Sequence, residues 1–291
     1  MLSMVLVSAL SLGAIYALVA LGIVIVFKGT GIVNFAHGAI FTATATLAYG
    51  LVTAGVNYAV ALILALLGIT AFMLLVERIA LRPLVKTADP MLFKGATIAL
   101  AFLLVGLVRW FIAREGDYVS LAPILGHGFV NVFGLRVPTQ DFFIVAASAT
   151  ILALFALFFA RTRYGRLMQA VAENQQAARV IGINVDRVYV TIWAIAGLLG
   201  GIAGILMAPI TLIHPDLGVL IFIKAIAAAI LGGFDKLHGA VVGGFLVGLV
   251  EVVVSFYVGT IYQEAIPFLI ILLVLFIRPQ GLFGSKDVMR L

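Results

Sequence analysis

The chain has 291 residues, 64% of them hydrophobic and 10% charged, with 30 glycines and no cysteine. A soluble domain is roughly 45–50% apolar and about 25% charged, with about half its residues facing water. Composition therefore excludes a soluble enzyme, a nucleic-acid-binding domain and a disordered regulator. The 18 Lys+Arg against 12 Asp+Glu read as a membrane-topology signal, not a nucleic-acid footprint. No disulfide framework or thiolate metal site is available. The chain reads as a polytopic membrane protein.

Uncharged apolar runs predict about nine transmembrane helices, near 4–27, 38–55, 58–76, 95–112, 141–160, 188–212, 217–231, 239–258 and 265–277. No loop between them reaches the ~50 residues of a further domain, so residues 1–291 read as one transmembrane unit. The first run has no positive charge before it, the first lysine being Lys28, and reads as a retained span rather than a signal peptide.

After the first run comes Gly29-Thr30-Gly31-Ile32-Val33-Asn34-Phe35-Ala36-His37-Gly38. Its glycines end a helix, and Asn34 and His37 bring polar groups that lipid would leave unsatisfied. It is either an interfacial turn or a discontinuous segment beside a transport route. Segment 77–94 carries Arg78, Arg82, Lys86 and Lys94; segment 161–187 carries Arg161, Arg163, Arg166, Arg179 and Arg187; the tail adds Arg278, Lys286 and Arg290. Placing these inside puts the N-terminus outside and the C-terminus in the cytoplasm across nine spans. Arg109 then reaches toward the outer interface.

Loop 113–140 holds Arg114 and Arg136 balanced by Glu115 and Asp117. Its runs Tyr118–Leu121 and Phe129–Phe133, split by Gly126-His127-Gly128, suggest a small extracytoplasmic hairpin. From Arg166 to Ile181 the composition predicts one amphipathic helix with Leu167, Val171, Ala178 and Ile181 on one face and Gly182 as C-cap. That helix either rests on the membrane or is a lever for a cytoplasmic partner.

Stretch 209–239 is punctuated by Pro209, His214-Pro215-Asp216 and Gly232-Gly233, and carries Lys224 about mid-span. Glu251 lies at a similar depth in the next span, the two heights differing by roughly 6 Å. A charge at that depth costs at least ~2.5 kcal/mol on insertion scales, so the two should meet, as a lock between helices or in contact with substrate. A faint echo links His37-Gly38-Ala39-Ile40 with His238-Gly239-Ala240-Val241. The spacings Gly197-x-x-x-Gly201, Gly200-x-x-x-Gly204, Gly239-x-x-x-Gly243 and Gly244-x-x-x-Gly248 predict close helix packing, within the chain or at a subunit seam.

No Gly-Lys dipeptide, metalloprotease His/Glu pair or Gly-x-Ser-x-Gly occurs, and the four histidines are dispersed, so no ATPase or other catalytic set is expected. A stand-alone secondary carrier using the Lys224/Glu251 charges is the rival reading.

Several segments resemble the LivH-type permeases of branched-chain amino acid ABC importers. They are Gly31–Gly38; Ala172-Glu173-Asn174 through Ala178 to Gly182-Ile183-Asn184-Val185-Asp186-Arg187-Val188; Lys224-Ala225 through Leu231-Gly232-Gly233 to His238-Gly239-Ala240, Gly243-Gly244 and Gly248–Glu251; and Arg278–Gly284. Phe234-Asp235-Lys236-Leu237 departs from the family's pattern after the double glycine.

The resemblance implies an all-α importer-permease fold in the bacterial inner membrane. It implies one half of a permease heterodimer, beside a second related permease, with two cytoplasmic ATPase subunits that use the ATP and an extracytoplasmic binding protein. This chain would bind no cofactor or metal, contact lipid and no nucleic acid. Arg166, Glu173, Ala177, Ala178 and Gly182 would couple to the ATPases. Asn34, His37, Gly38, Lys224, Gly232, Gly233 and Glu251 would border the substrate pathway. Relatives carry Leu/Ile/Val, other amino acids, urea or short amides, and small organic acids, so the substrate stays open.

Overall fold

A computed structural model of the protein describes residues 2–85, 90–113, 116, 118–132 and 134–284. Lys86, Arg114, Glu115, Asp117, Phe133, Lys286 and Arg290 lie outside the described residues. The helices are α1 Leu2–Thr30, α2 His37–Thr53, α3 Tyr58–Val76, α4 Arg82–Val85, α5 Pro90–Ile112, α6 Thr139–Arg161, α7 Arg163–Glu173, α8 Gln175–Val180, α9 Val185–Met207, α10 Leu217–Gly232, α11 Leu237–Tyr257 and α12 Ile266–Ile277. Each of the nine apolar runs contains one helix. Among the described residues, six helices are long and apolar enough to cross a membrane; α10 and α12 are shorter apolar helices, and α2 has 17 residues.

The boundaries follow local chemistry. Gly31, at φ +76°, stops α1, and its N–H still donates to Phe27 O. Asn57 caps α3 by accepting from Ala59 N, and Asn184 caps α9 by accepting from Arg187 N. A π-helical turn, Glu77–Leu81, joins α3 to α4, and Arg82 closes it with a two-pronged pair of hydrogen bonds to buried Glu77 at 3.1 and 2.9 Å.

The helix run predicted over 166–181 is two helices. Asn174 leaves the helical region (φ −157°, ψ 106°) and its side chain accepts from Ala177 N, which starts α8 afresh. Met168, Val171 and Ala178 face the core, whereas Ile181 is exposed, because the break rotates the second helix relative to the first.

The hairpin also differs from expectation. β1 (Phe129–Val132) pairs antiparallel with β2 (Leu135–Pro138), Val132 opposite Leu135, around a two-residue turn in which Gly134 takes φ +82°. Tyr118–Leu121 is not its partner. Val119 instead makes a bridge to Ile213.

Packing arranges the helices as two corresponding sets, as in a repeat. α2 packs on α9 as α10 packs on α1; α3 packs on α9 as α11 packs on α1; α2 packs on α5 as α10 packs on α12. The units α1-α2-α3-α5 and α9-α10-α11-α12 thus correspond, with α1 and α9 crossing at the centre. This correspondence overturns the His37/His238 echo, because α2 matches α10 and not α11. The counterpart of Gly38 is Gly218, and the two touch.

The bundle has two ends. At one, Val119 pairs with Ile213, Tyr58 Oη donates to Ala122 O at 2.5 Å, and Arg109 meets Asp216 at 3.3 Å. At the other, Gln175 Nε2 of α8 donates to Gly29 O at the end of α1. The segment 278–284 docks at this second end, where Leu282 N and Phe283 N donate to Leu231 O and Gly232 O. The glycine spacings act within the chain: Gly204 admits Phe41, Gly243 admits Ala228, Gly244 admits Ala17 and Gly248 admits Gly13.

Candidate functional site

The residues read as a pathway converge on α10. At its N-terminal end, Gly38 and Gly218 approach so closely that a Cβ on either would strike the other's carbonyl oxygen. Phe35 packs against Phe222 of α10 with ring centroids 5.9 Å apart and the rings tilted by 57°. Asn34 and His37 are fully buried. Asn34 Oδ1 accepts from Ala36 N at 3.0 Å, a local turn that frees α2 to begin at His37, while Asn34 Nδ2 has no partner.

The His37 ring lies in the crossing of α1 and α9. A Cβ at Gly22 would fall 2.5 Å from its Nε2, and one at Gly200 would fall 3.2 Å from its Cε1. The Val19 carbonyl is beside the ring, but neither nitrogen completes a hydrogen bond. Thr42 Oγ1, beside Gly218, is likewise buried and unpartnered. The break is enclosed by helices within this chain, with polar atoms held by packing.

Midway along α10, Lys224 Nζ donates to Glu251 Oε1 at 2.5 Å, the pairing expected from their depths. Gln263 Nε2, just after α11, donates to the same oxygen at 2.6 Å. The Tyr16 ring of α1 lies 5.7 Å from Lys224 Nζ, and its hydroxyl neighbours the Glu251 carboxylate. Glu251 is 0% exposed with Oε2 unpartnered, whereas the Lys224 side chain keeps 12% exposure. Charge pairing, an amide donor and an aromatic face together offset desolvation of the two ions.

At the C-terminal end of α10, Gly233 takes φ +102° and the segment 278–284 supplies the helix with its cap. Gly232 packs against Gly239, and Gly233 against Gly284. The Gly232-Gly233 pair thereby seats the C-terminal segment.

The second face is that of α7 and α8. Arg166, Glu173, Ala177 and Gly182 are exposed there, with Gly182 at φ +83°. Ala178 is buried and anchors α8 rather than presenting a surface. Val180 and Ile181 are 86% and 73% exposed beside Arg179, so an apolar tip projects from a basic surface.

Sequence reasoning missed Tyr16, Gln263, Gly218 and this tip. Gly218 alone had a signal, a glycine three residues past Pro215 at the mouth of an apolar helix. The others are brought in by tertiary packing. Among the described residues no group of His, Asp and Glu could hold a metal ion.

Comparison with known proteins gives the same architecture a lineage. One solved structure, PsaBC from Streptococcus pneumoniae in complex with Fab, aligns over 96% of this chain and 92% of its own with a TM-score of 0.55 and 14% identity, a likeness of fold. The branched-chain amino acid permease LivH of Salmonella typhimurium is 30% identical over 97% of this chain and 95% of its own length. BraD of Pseudomonas aeruginosa, also named as a branched-chain amino acid permease, is 28% identical over 97% of this chain and 96% of its own. The ribose import permease RbsC of Bacillus subtilis is 28% identical over 89% of this chain and 80% of its own. The profile of the family described as branched-chain amino acid transport system permease component matches residues 5–275, and this multi-pass membrane protein belongs to that family.

Proposed function

We propose that the chain is the permease subunit of an ATP-driven importer for branched-chain or related amino acids, and that it forms half of the translocation pathway. The observation that carries this reading is the α7–α8 face: two short capped helices, exposed Arg166, Glu173, Ala177 and Gly182, and an apolar tip at Val180 and Ile181. A helix resting on lipid would present one continuous apolar face. Here Asn174 breaks the helix, and Glu173 and Ala177 are exposed between the buried Val171 and the apolar tip. A lever held in a partner's cleft fits that pattern.

The cytoplasm is assigned to this face because Arg78, Arg161, Arg163, Arg166, Arg179 and Arg187 gather on its segments. The N-terminus then lies outside and the C-terminus inside. Two ATPase subunits would dock on α7–α8, a second related permease would complete the route, and a binding protein would dock at the face bearing Arg109, Asp216 and the hairpin. ATP is used by the partners; this chain supplies no cofactor site. The route follows the side of α10 that carries Lys224 and its partner Glu251. Asn34, His37 and Gly38 set one end of that helix, and Gly232 and Gly233 the other. A carrier for short amides, urea or small organic acids shares every one of these features.

The test is a reconstituted importer. Glu173→Arg should leave the chain folded and ATP hydrolysis running while uptake of leucine falls at least tenfold. A photocrosslinker at residue 173 should capture an ATPase subunit. Capture of lipid alone, or of the outer binding protein, would overturn the assignment of this face.

A further inference from the structure

One feature of the fold has no part in the translocation reading: a cleft of about 530 Å³ on the α7–α8 half of the molecule. Its floor is α1 and its walls are α6 and α11, each of which packs on α1. The apolar lining comes from Leu21, Leu152, Phe155, Phe159 and Val241, and the polar mouth from Lys28, Lys236, Gln169 and His238. Its volume is within the range of about 300–1,000 Å³ typical of ligand pockets.

The polarity is graded along the helices. Leu21 and Lys28 are seven residues apart on α1, so the apolar wall runs about 10 Å from the lysine toward the bilayer centre. Lys28 is half-buried and makes no ion pair among the described residues. Lys236 pairs with Asp235 at 3.3 Å. Glu173 is the other carboxylate acting on Lys28. Arg161, one residue past the lining residue Ala160, and Arg166, one turn before Gln169, leave the mouth with an excess of cations. The first turn of α11 is Leu237-His238-Gly239, with no acidic residue and no side-chain cap, and Leu237 and His238 line the same mouth.

A cleft with an apolar wall facing hydrocarbon and a cationic mouth at the water boundary has the two-part chemistry of an anionic amphiphile. We propose that it holds one anionic phospholipid from the leaflet on the α7–α8 side. The phosphate lies at Lys28 and Lys236, and an acyl chain lies along α1 and α6. The lipid wedges α6 and α7 against α1 and so fixes the platform on which α7 and α8 stand. This requires only that the bundle span a membrane, and neither the substrate nor the ATPase contact.

Native mass spectrometry of the full chain, purified in detergent and titrated with phosphatidylglycerol or phosphatidylcholine, tests this. Phosphatidylglycerol should bind more tightly. Lys28→Gln and Lys236→Gln should each weaken it about fivefold, the equivalent of about 1 kcal/mol per lysine near a membrane surface, and weaken phosphatidylcholine less, because its choline ammonium offsets the phosphate charge. Ala156→Trp, at an exposed lining position, should weaken both lipids by filling the cleft without touching its charges. Equal affinity for the two lipids in the unaltered chain would overturn the proposal. So would displacement of phosphatidylglycerol by inorganic phosphate at equal concentration, which would make the mouth a site for the free anion. A photocrosslinker at residue 156 that captured a second permease in the assembled importer would overturn it in favour of a subunit seam.

Discussion

Two regions of the interior hold polar groups away from water, and they do so by opposite means. At the break before α2, His37, Asn34 and Thr42 are buried with donors or acceptors unfilled, and the backbone contact of Gly38 with Gly218 holds them. At the middle of α10, Lys224, Glu251 and Gln263 are joined by short charge-assisted hydrogen bonds. The first region is governed by volume and the second by charge. They should therefore fail differently.

The largest effect is expected at Gly38. Gly38→Leu places side-chain atoms where Gly218 backbone stands, and neither α2 nor α10 can yield without unpacking from α9 or α1. Folded protein recovered by fluorescence-detected size exclusion should disappear, and uptake with it. Normal recovery with lost uptake would mean that the crossing opens during transport and is not a fixed contact.

Charge should behave non-additively. Breaking a buried pair costs about 3–5 kcal/mol, because the surviving ion is left uncompensated. Lys224→Met and Glu251→Gln should each lower recovery and thermal stability, and the double variant should regain part of the loss. Recovery of assembly without uptake would place the pair on the route, and recovery of both would make it a lock between α10 and α11. Simple addition of the two losses would show that the charges act apart.

A smaller effect separates volume from polarity at His37. Gly22→Ala should destabilise by about 1–3 kcal/mol through overpacking against the imidazole, and His37→Ala should relieve it in the double variant. Failure of that rescue in a thermal-melt comparison would transfer the constraint from the ring to the α1–α9 backbones.

The smallest effect belongs to Arg109 and Asp216, each 63% exposed. Arg109→Ala should cost about 0–1 kcal/mol, and raising salt should abolish even that. A loss comparable with that of Lys224→Met would mean that the pair is buried in the assembled importer.

These contrasts explain what was legible in the chain. Meeting of Lys224 and Glu251 was readable from depth, since charges deep in apolar helices have few ways to remain ionised. Gln263 and Tyr16 were not, because nothing local distinguishes them from any loop amide or helix tyrosine. The break at Asn34–Gly38 was visible as a loss of helical composition, but its occupant crossing was not.

Apolar run length by itself located the nine runs that each hold a helix among the described residues, and the membrane class, because each span must satisfy its own backbone within one continuous segment. Clustering of arginine determined which segments share the α7–α8 side. Only the tertiary structure decided that Gly38 belongs with Gly218 and not with Gly239. It also decided that 129–132 pairs with 135–138, and that the second glycine of Gly232-Gly233 seats the C-terminal segment. The Gly38–Gly218 contact joins residues 180 positions apart, and its specificity lies in the absence of side-chain volume at both partners. A glycine's missing Cβ has no meaning until a neighbouring backbone arrives to occupy the space.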